Sequence, residues 1–134
     1  MTNLKGMNHA AINVRDFQST KDFYERILGF ERLPRPPFGI DGAWYKCGES
    51  QFHVIESKDG NPEWDHPNGT NPTTEHVALV VEDLALVQTL LDEARMTYDL
   101  IEQQVGDVTI RAIYVSGPDG HCFELRESYP MPKA

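Results

Sequence analysis

Four side chains suited to holding a metal ion recur at matched places in this sequence: His9, His53, His76 and Glu124. The matching comes from an internal repeat. Residues 9–16 read HAAINVRD and residues 76–83 read HVALVVED, an offset of 67 residues (9 to 76) with four of eight positions identical. AWYKCG at 43–48 answers to AIYVSG at 112–117, an offset of 69 (43 to 112). FHVIES at 52–57 answers to FELRES at 123–128, an offset of 71 (52 to 123). Three matches in one order, with offsets that drift slowly upward, describe two copies of one unit with small loop insertions. The extra residues between the last two blocks fall in the second copy's turn, SGPDG. His9 and His76 share one repeat position, and His53 and Glu124 share another.

Three imidazoles and one carboxylate form a chemically sensible ligand set. Imidazole suits zinc, nickel, cobalt, iron and copper, and a carboxylate adds charge balance. Four such ligands leave open positions on a six-coordinate ion, which is what separates catalytic from structural sites. A substrate with two neighbouring oxygens can fill both, and the ion then acts as a Lewis acid on an enolate or oxyanion. A lone histidine on a strand is more often packed than bound to metal. The specificity here lies in the symmetry, not in any local spacing.

The elements that must position these groups can be read in each copy. An apolar stretch, Met7–Val14 or Val77–Val81, reads as a strand. Asp16 and Asp83 follow at helix N-cap positions. Phe17, Phe23, Tyr24, Ile27 and Leu28 then fall near one helical face, with Gly29 ending the run. Leu84, Val87, Leu90, Leu91 and Ala94 do the same in the second copy. Strands are expected at about 30–34, 42–47 and 51–56, and again at about 98–103, 108–115 and 122–127. The unit is strand, helix and three strands, used twice. Period 2 sets Phe52 and Val54 on one face with His53 on the other, and Phe123 and Leu125 opposite Glu124. If the apolar side packs on the helices, the polar four point to the other face. The polar stretch 58–74 reads as a linker, and LPRPPFGIDG at 33–42 as a long turn or a lid.

Composition bounds the partners. The chain has 134 residues, enough for one domain or two small halves, and a net charge of −9. No basic footprint exists for nucleic acid or an anionic membrane. Two cysteines give no bridged framework, which points to a reducing, cytoplasmic compartment. The first residues do not read as a signal peptide, and no apolar run is long enough to span a membrane.

With these residues in view, the chain resembles the vicinal oxygen chelate superfamily, which holds glyoxalase I, fosfomycin resistance enzymes, extradiol dioxygenases and bleomycin resistance proteins. The resemblance rests on HAAINVRDFQSTKDFYERILGFE, GAWYKCGESQFHVIE, EHVALVVEDL and GPDGHCFELRES. It implies an α+β fold, two tandem βαβββ modules forming a curled mixed sheet around a cleft. Module one would cover about 5–57 and module two about 75–129 of a single domain. It also implies one divalent ion (Zn, Ni, Co, Mn or Fe) on His9, His53, His76 and Glu124, and a homodimer. The activity implied is that of a glyoxalase-type lyase or isomerase, with a proton moved beside a carbonyl by Glu124 or a base near it while the ion holds the enediolate. A His at position 53 departs from the glyoxalase I pattern, which often has Glu or Gln there. A three-donor set, His9, His76 and Glu124, would suit a dioxygenase or fosfomycin-type enzyme, with His53 lining the pocket. A metal-free drug-binding cleft and a structural metal clip are the readings from other classes.

Arg111, Tyr114 and Arg126 are candidates for substrate contacts, Arg126 because it shares a strand face with Glu124. Glu56 and Glu127 occupy equivalent places on the other parity and read as rim charges. Tyr45 and Tyr114 read as repeat equivalents, His121 as an exposed turn residue and Cys122 as a small buried one. Trp64 and His66 fall in the linker.

Overall fold

The computed structural model describes residues 3–37, 39–57 and 75–127. The expected linker, with Trp64 and His66, lies outside the described residues. The chain divides into two compact units, 1–62 and 63–134. Each unit has the same order of elements.

Unit one runs β1 (His9–Val14), α1 (Phe17–Asp22), β2 (Glu31–Leu33), β3 (Gly42–Cys47) and β4 (Ser50–Glu56). Its sheet order is β1-β4-β3-β2, with β1 parallel to β4 and the other pairs antiparallel. Unit two runs β5 (Val77–Val80), α2 (Leu84–Glu93), β6 (Tyr98–Val105), β7 (Val108–Ser116) and β8 (Cys122–Arg126), with the order β5-β8-β7-β6. Here β5 is parallel to β8 and the other pairs are antiparallel. The two modules are therefore βαβββ units of identical topology, and the α+β reading holds. Among the described residues no helix is long and apolar enough to cross a membrane.

The strand alternation expected from the sequence sorts each sheet into an apolar and a polar face. In unit one Val14, Ala43, Tyr45, Phe52 and Val54 are buried together with Phe17, Phe23, Tyr24 and Ile27. This core is aromatic: Phe30 stacks on Phe52 at 5.1 Å and on Tyr45 at 5.3 Å between ring centroids. In unit two Leu84, Val87 and Leu91 of α2 are buried with Ile113, Val115, Phe123 and Leu125.

The helices begin as the sequence indicates. Asp16 caps α1 by accepting from the Gln18 N–H, and Asp83 caps α2 by accepting from the Leu86 N–H. A second cap was not foreseen. The Glu56 carboxylate accepts from the Phe17 N–H at 3.0 Å, and the Glu127 carboxylate accepts from the Leu84 N–H at 3.0 Å. These glutamates are not mere rim charges. Each lashes the end of its module's last strand to the first N–H of its helix, where an anion also meets the positive end of the helix dipole.

The first helix is not α throughout. After Asp22 it widens into a π-helical turn, Phe23–Ile27, closed by Leu28 N–H donating to the Phe23 carbonyl at 2.9 Å. Gly29 then takes φ +79, and Phe30 N–H bonds back to the Tyr24 carbonyl. Gly42 is needed for a different reason. A Cβ there would lie 2.2 Å from the Val54 carbonyl oxygen across the β3–β4 ladder.

Candidate metal centre

The polar face of unit one carries His9 and His53, and that of unit two carries His76 and Glu124. The registers show why these positions match. In unit one Ala11 of β1 and Trp44 of β3 sit opposite His53 on β4. In unit two Ala78 of β5 and Tyr114 of β7 sit opposite Glu124 on β8. His76 stands one residue before β5 rather than within it. His9 opens β1.

The same registers correct one repeat equivalence. Tyr114 answers to Trp44, not to Tyr45. The turn between Cys47 and Ser50 holds two residues, whereas the turn between Ser116 and Cys122 holds five, and that difference resets the hairpin register. Tyr45 lies on the core face, fully buried, and donates its O–H to Glu25 at 2.8 Å. Burial first, then that carboxylate, holds its phenol well above its ordinary range.

In unit two the Glu124 side chain is buried and engaged at both oxygens. Tyr114 O–H donates to Oε1 at 2.5 Å, and Arg126 Nη1 donates to Oε2 at 3.0 Å. His76 Nε2 lies 3.3 Å from Oε1. The Tyr114 phenol is pushed up to about 12, by burial first and then by the carboxylate it donates to. It therefore keeps its proton near neutrality and acts as a donor. Tyr114, a candidate for substrate contact, places its hydroxyl on Glu124. Arg126 shares the face with Glu124, as strand parity indicated. Arg111 does not. It lies on the opposite face of β7, half-exposed, where Nε meets the Glu102 carboxylate at 3.3 Å. His121 is partly buried rather than exposed, and Cys122 is buried.

In unit one three rings form a stack across three strands. His53 is 8% exposed and lies between His9, at 4.1 Å and 14° from parallel, and Trp44, at 4.6 Å and 9°. His9 Nδ1 is 2.6 Å from Asn8 Oδ1, and His53 Nε2 is 2.8 Å from Gln51 Oε1. Burial, and then the charges of His9 and Arg35, hold the His53 pKa below its ordinary value. Gln51 had no signal in the sequence beyond its place two residues from His53.

Within either unit no three His, Cys, Asp or Glu side chains among the described residues gather to hold a metal. Each unit supplies a pair, and the pairs differ in fit. Ligands about 2.1 Å from a common ion lie roughly 3.0–3.4 Å from each other, for octahedral or tetrahedral edges. The His76–Glu124 separation of 3.3 Å meets that requirement. The His9 and His53 rings have the right donor type, but an imidazole lone pair lies in the ring plane. Two nearly parallel planes at this spacing share no ion unless one ring turns.

The fold defines a protein of two βαβββ modules, one bearing His9 and His53 on its polar face and the other His76 and Glu124. Residues 6–125 match the sequence profile of the Glyoxalase/Bleomycin resistance protein/Dioxygenase superfamily, and the chain belongs to that superfamily. It is similar to "Glyoxylase I 4" of Arabidopsis thaliana, 24% identical over 131 residues, which are 96% of this chain and 74% of the relative. A solved glyoxalase family protein from Enterococcus faecalis is 26% identical with a TM-score of 0.67, over 94% of this chain and all of that one. A putative glyoxalase family protein from Bacillus anthracis superposes with a TM-score of 0.69 at 22% identity, over 96% of this chain and 99% of that one.

Proposed function

We propose that this chain is a divalent-metal-dependent enzyme of glyoxalase type, a lyase or isomerase acting on a small substrate that offers two neighbouring oxygens. The observation that carries this reading is the His76–Glu124 pair. A buried carboxylate, fixed at both oxygens and 3.3 Å from an imidazole nitrogen, is a preorganised metal-ligand edge. His9 and His53 would complete the set, one of them after a ring turn. The similarity to a plant glyoxylase I supports the reaction class.

When bound, the ion would supply Lewis acidity to a substrate carbonyl or hydroxyl. The chain's own residues do the rest. Glu124 anchors, its orientation set by Tyr114 and Arg126, so little reorganisation accompanies reaction. Trp44 and the stacked imidazoles form a flat aromatic wall on the polar face of unit one. The partner in this reading is a small molecule, and the working form a homodimer.

One observation favours a second reading. The parallel planes of His9 and His53 suit a three-donor set of His9, His76 and Glu124, which is the ligand type of a non-haem iron or manganese enzyme. The test begins with metal content of the purified chain, wild type beside His76→Ala. About one ion per chain, lost in the variant, is expected from the chemistry of a single site. Nickel or zinc directs assays to proton transfer in α-hydroxycarbonyl adducts, and iron or manganese to catechols and epoxide antibiotics. No ion in either protein, even after a panel of ions is added, overturns both readings and leaves a ligand-binding protein.

A further inference from the structure

We propose that Gln51 is a positioning residue that locks the His53 imidazole in one tautomer and offers its Nδ1 lone pair to the polar face. The inference rests on the reading of that face as the functional site. Its evidence is separate, however, and involves no ion.

A side-chain carbonyl oxygen can only accept a hydrogen bond. Gln51 Oε1 lies 2.8 Å from His53 Nε2, and with the amide oxygen facing the ring this contact requires the proton on Nε2 and the lone pair on Nδ1. The plane of the ring is held separately. His9 and Trp44 cover its two faces, and its residue is 8% exposed. Stacking fixes the plane of the ring but says nothing about which nitrogen bears hydrogen. Gln51 supplies that second constraint. Its own place is set by the sheet, since it is His9's direct partner in the parallel β1–β4 ladder. The neighbouring imidazole meets a side-chain carbonyl at its other nitrogen: His9 Nδ1 lies 2.6 Å from Asn8 Oδ1. Outer partners that fix the tautomer and ring orientation of a site histidine are a general device.

The test reads imidazole nitrogen–proton correlations in the full chain labelled with nitrogen-15 at histidine, without added metal. His53 is expected almost wholly as the Nε2–H form, with a ring proton slow enough in exchange to be seen. Gln51→Leu removes the acceptor. The visible ring proton should vanish, and the tautomer ratio should fall by up to about tenfold, the effect of one ordinary hydrogen bond. Gln51→Glu keeps an acceptor at the same reach and should restore the wild-type pattern, which a purely structural role for residue 51 would not do. Dispersed backbone amides in each variant certify the fold. If Gln51→Leu fails that check, the Gln51→Glu spectrum beside wild type decides the matter. An Nδ1–H form of His53 in wild type, or a pattern indifferent to Gln51→Leu in a folded chain, overturns the proposal. Cobalt(II) added to the same samples separates the two readings. If no histidine resonance moves, the metalloenzyme reading falls while the tautomer result stands.

Discussion

Replacing Glu124 by Gln changes one oxygen to nitrogen and leaves the shape of the side chain. The carboxylate now accepts at both ends, from Tyr114 and from Arg126. A carboxamide has one accepting end. With its oxygen toward Tyr114, its NH2 faces the Arg126 guanidinium, donor against donor. Turned the other way, its NH2 confronts a phenol that must swing its proton elsewhere. In either pose one charge-assisted hydrogen bond is lost, a cost of about 1.5–3 kcal/mol. The Arg126 side chain keeps 20% exposure, so water partly replaces the lost partner and the lower end applies. For a chain of this size about 1.5–2 kcal/mol should lower the Tm by roughly 5–8 °C. Metal affinity should fall much further, by at least about 100-fold, because removing even an outer partner of a ligand typically costs 10–100-fold. Urea unfolding of metal-free wild type and variant gives the first quantity, and equilibrium dialysis with nickel or zinc gives the second. Unchanged metal affinity would refute the ligand role. A loss above about 4 kcal/mol in the metal-free protein would instead mark Glu124 as a structural linchpin, beyond what one strained contact explains.

Three further perturbations have defined outcomes. Tyr114→Phe should weaken metal binding about 10–100-fold by freeing Glu124 Oε1, read by the same dialysis. Its phenol is raised in the fold to about 12, so its contribution is full below the unfolded value near 10 and is lost as pH rises from there toward 12. Wild type should accordingly lose more stability than Tyr114→Phe between those pH values, by about 2 kcal/mol, in urea titrations at each pH. Gly42→Ala should cost about 3 kcal/mol or prevent folding, since its Cβ would meet the Val54 carbonyl oxygen and neither backbone can yield cheaply; soluble yield and thermal unfolding report it. Glu56→Ala and Glu127→Ala should each cost about 1 kcal/mol by uncapping a helix, and their effects should add in urea unfolding, because each lies in its own unit.

The fold was legible because strand alternation and the repeat carry redundant information. Phe52 and Val54 against His53, and Phe123 and Leu125 against Glu124, set which face is buried by alternation alone. All eight strands lie within a residue or two of the expected spans. The helix starts were legible because Asp16 and Asp83 are unambiguous caps. The widening of the first helix at Phe23 was not, since a π-helical turn has no pattern distinct from an apolar run. Nor was the second cap. Glu56 and Glu127 announced themselves only as equivalent charges on the helix-side parity. Their acceptor role depends on where the strand end meets the helix start, a tertiary fact.

The candidate donors can be read from the sequence but their neighbours cannot, and the reason is register. The sequence aligned two tyrosines, Tyr45 and Tyr114, because letters match there. The sheet aligns Trp44 with Tyr114, because turn length decides which residue faces His53 or Glu124 across the hairpin. That one-residue shift makes the two halves chemically unlike. Opposite His53 stands an indole that can stack but offers its polar face no carboxylate. Opposite Glu124 stands a phenol that donates to it. A symmetric repeat has thus become an aromatic half that fixes ring planes and a hydrogen-bonding half that fixes a carboxylate. Arg111 illustrates the same limit from the other side. Its type suits substrate binding, but it is three residues from Tyr114, an odd step along a strand, and so it faces away and pairs with Glu102. Residue type nominates a chemical group for a site, while parity and register decide whether it arrives there.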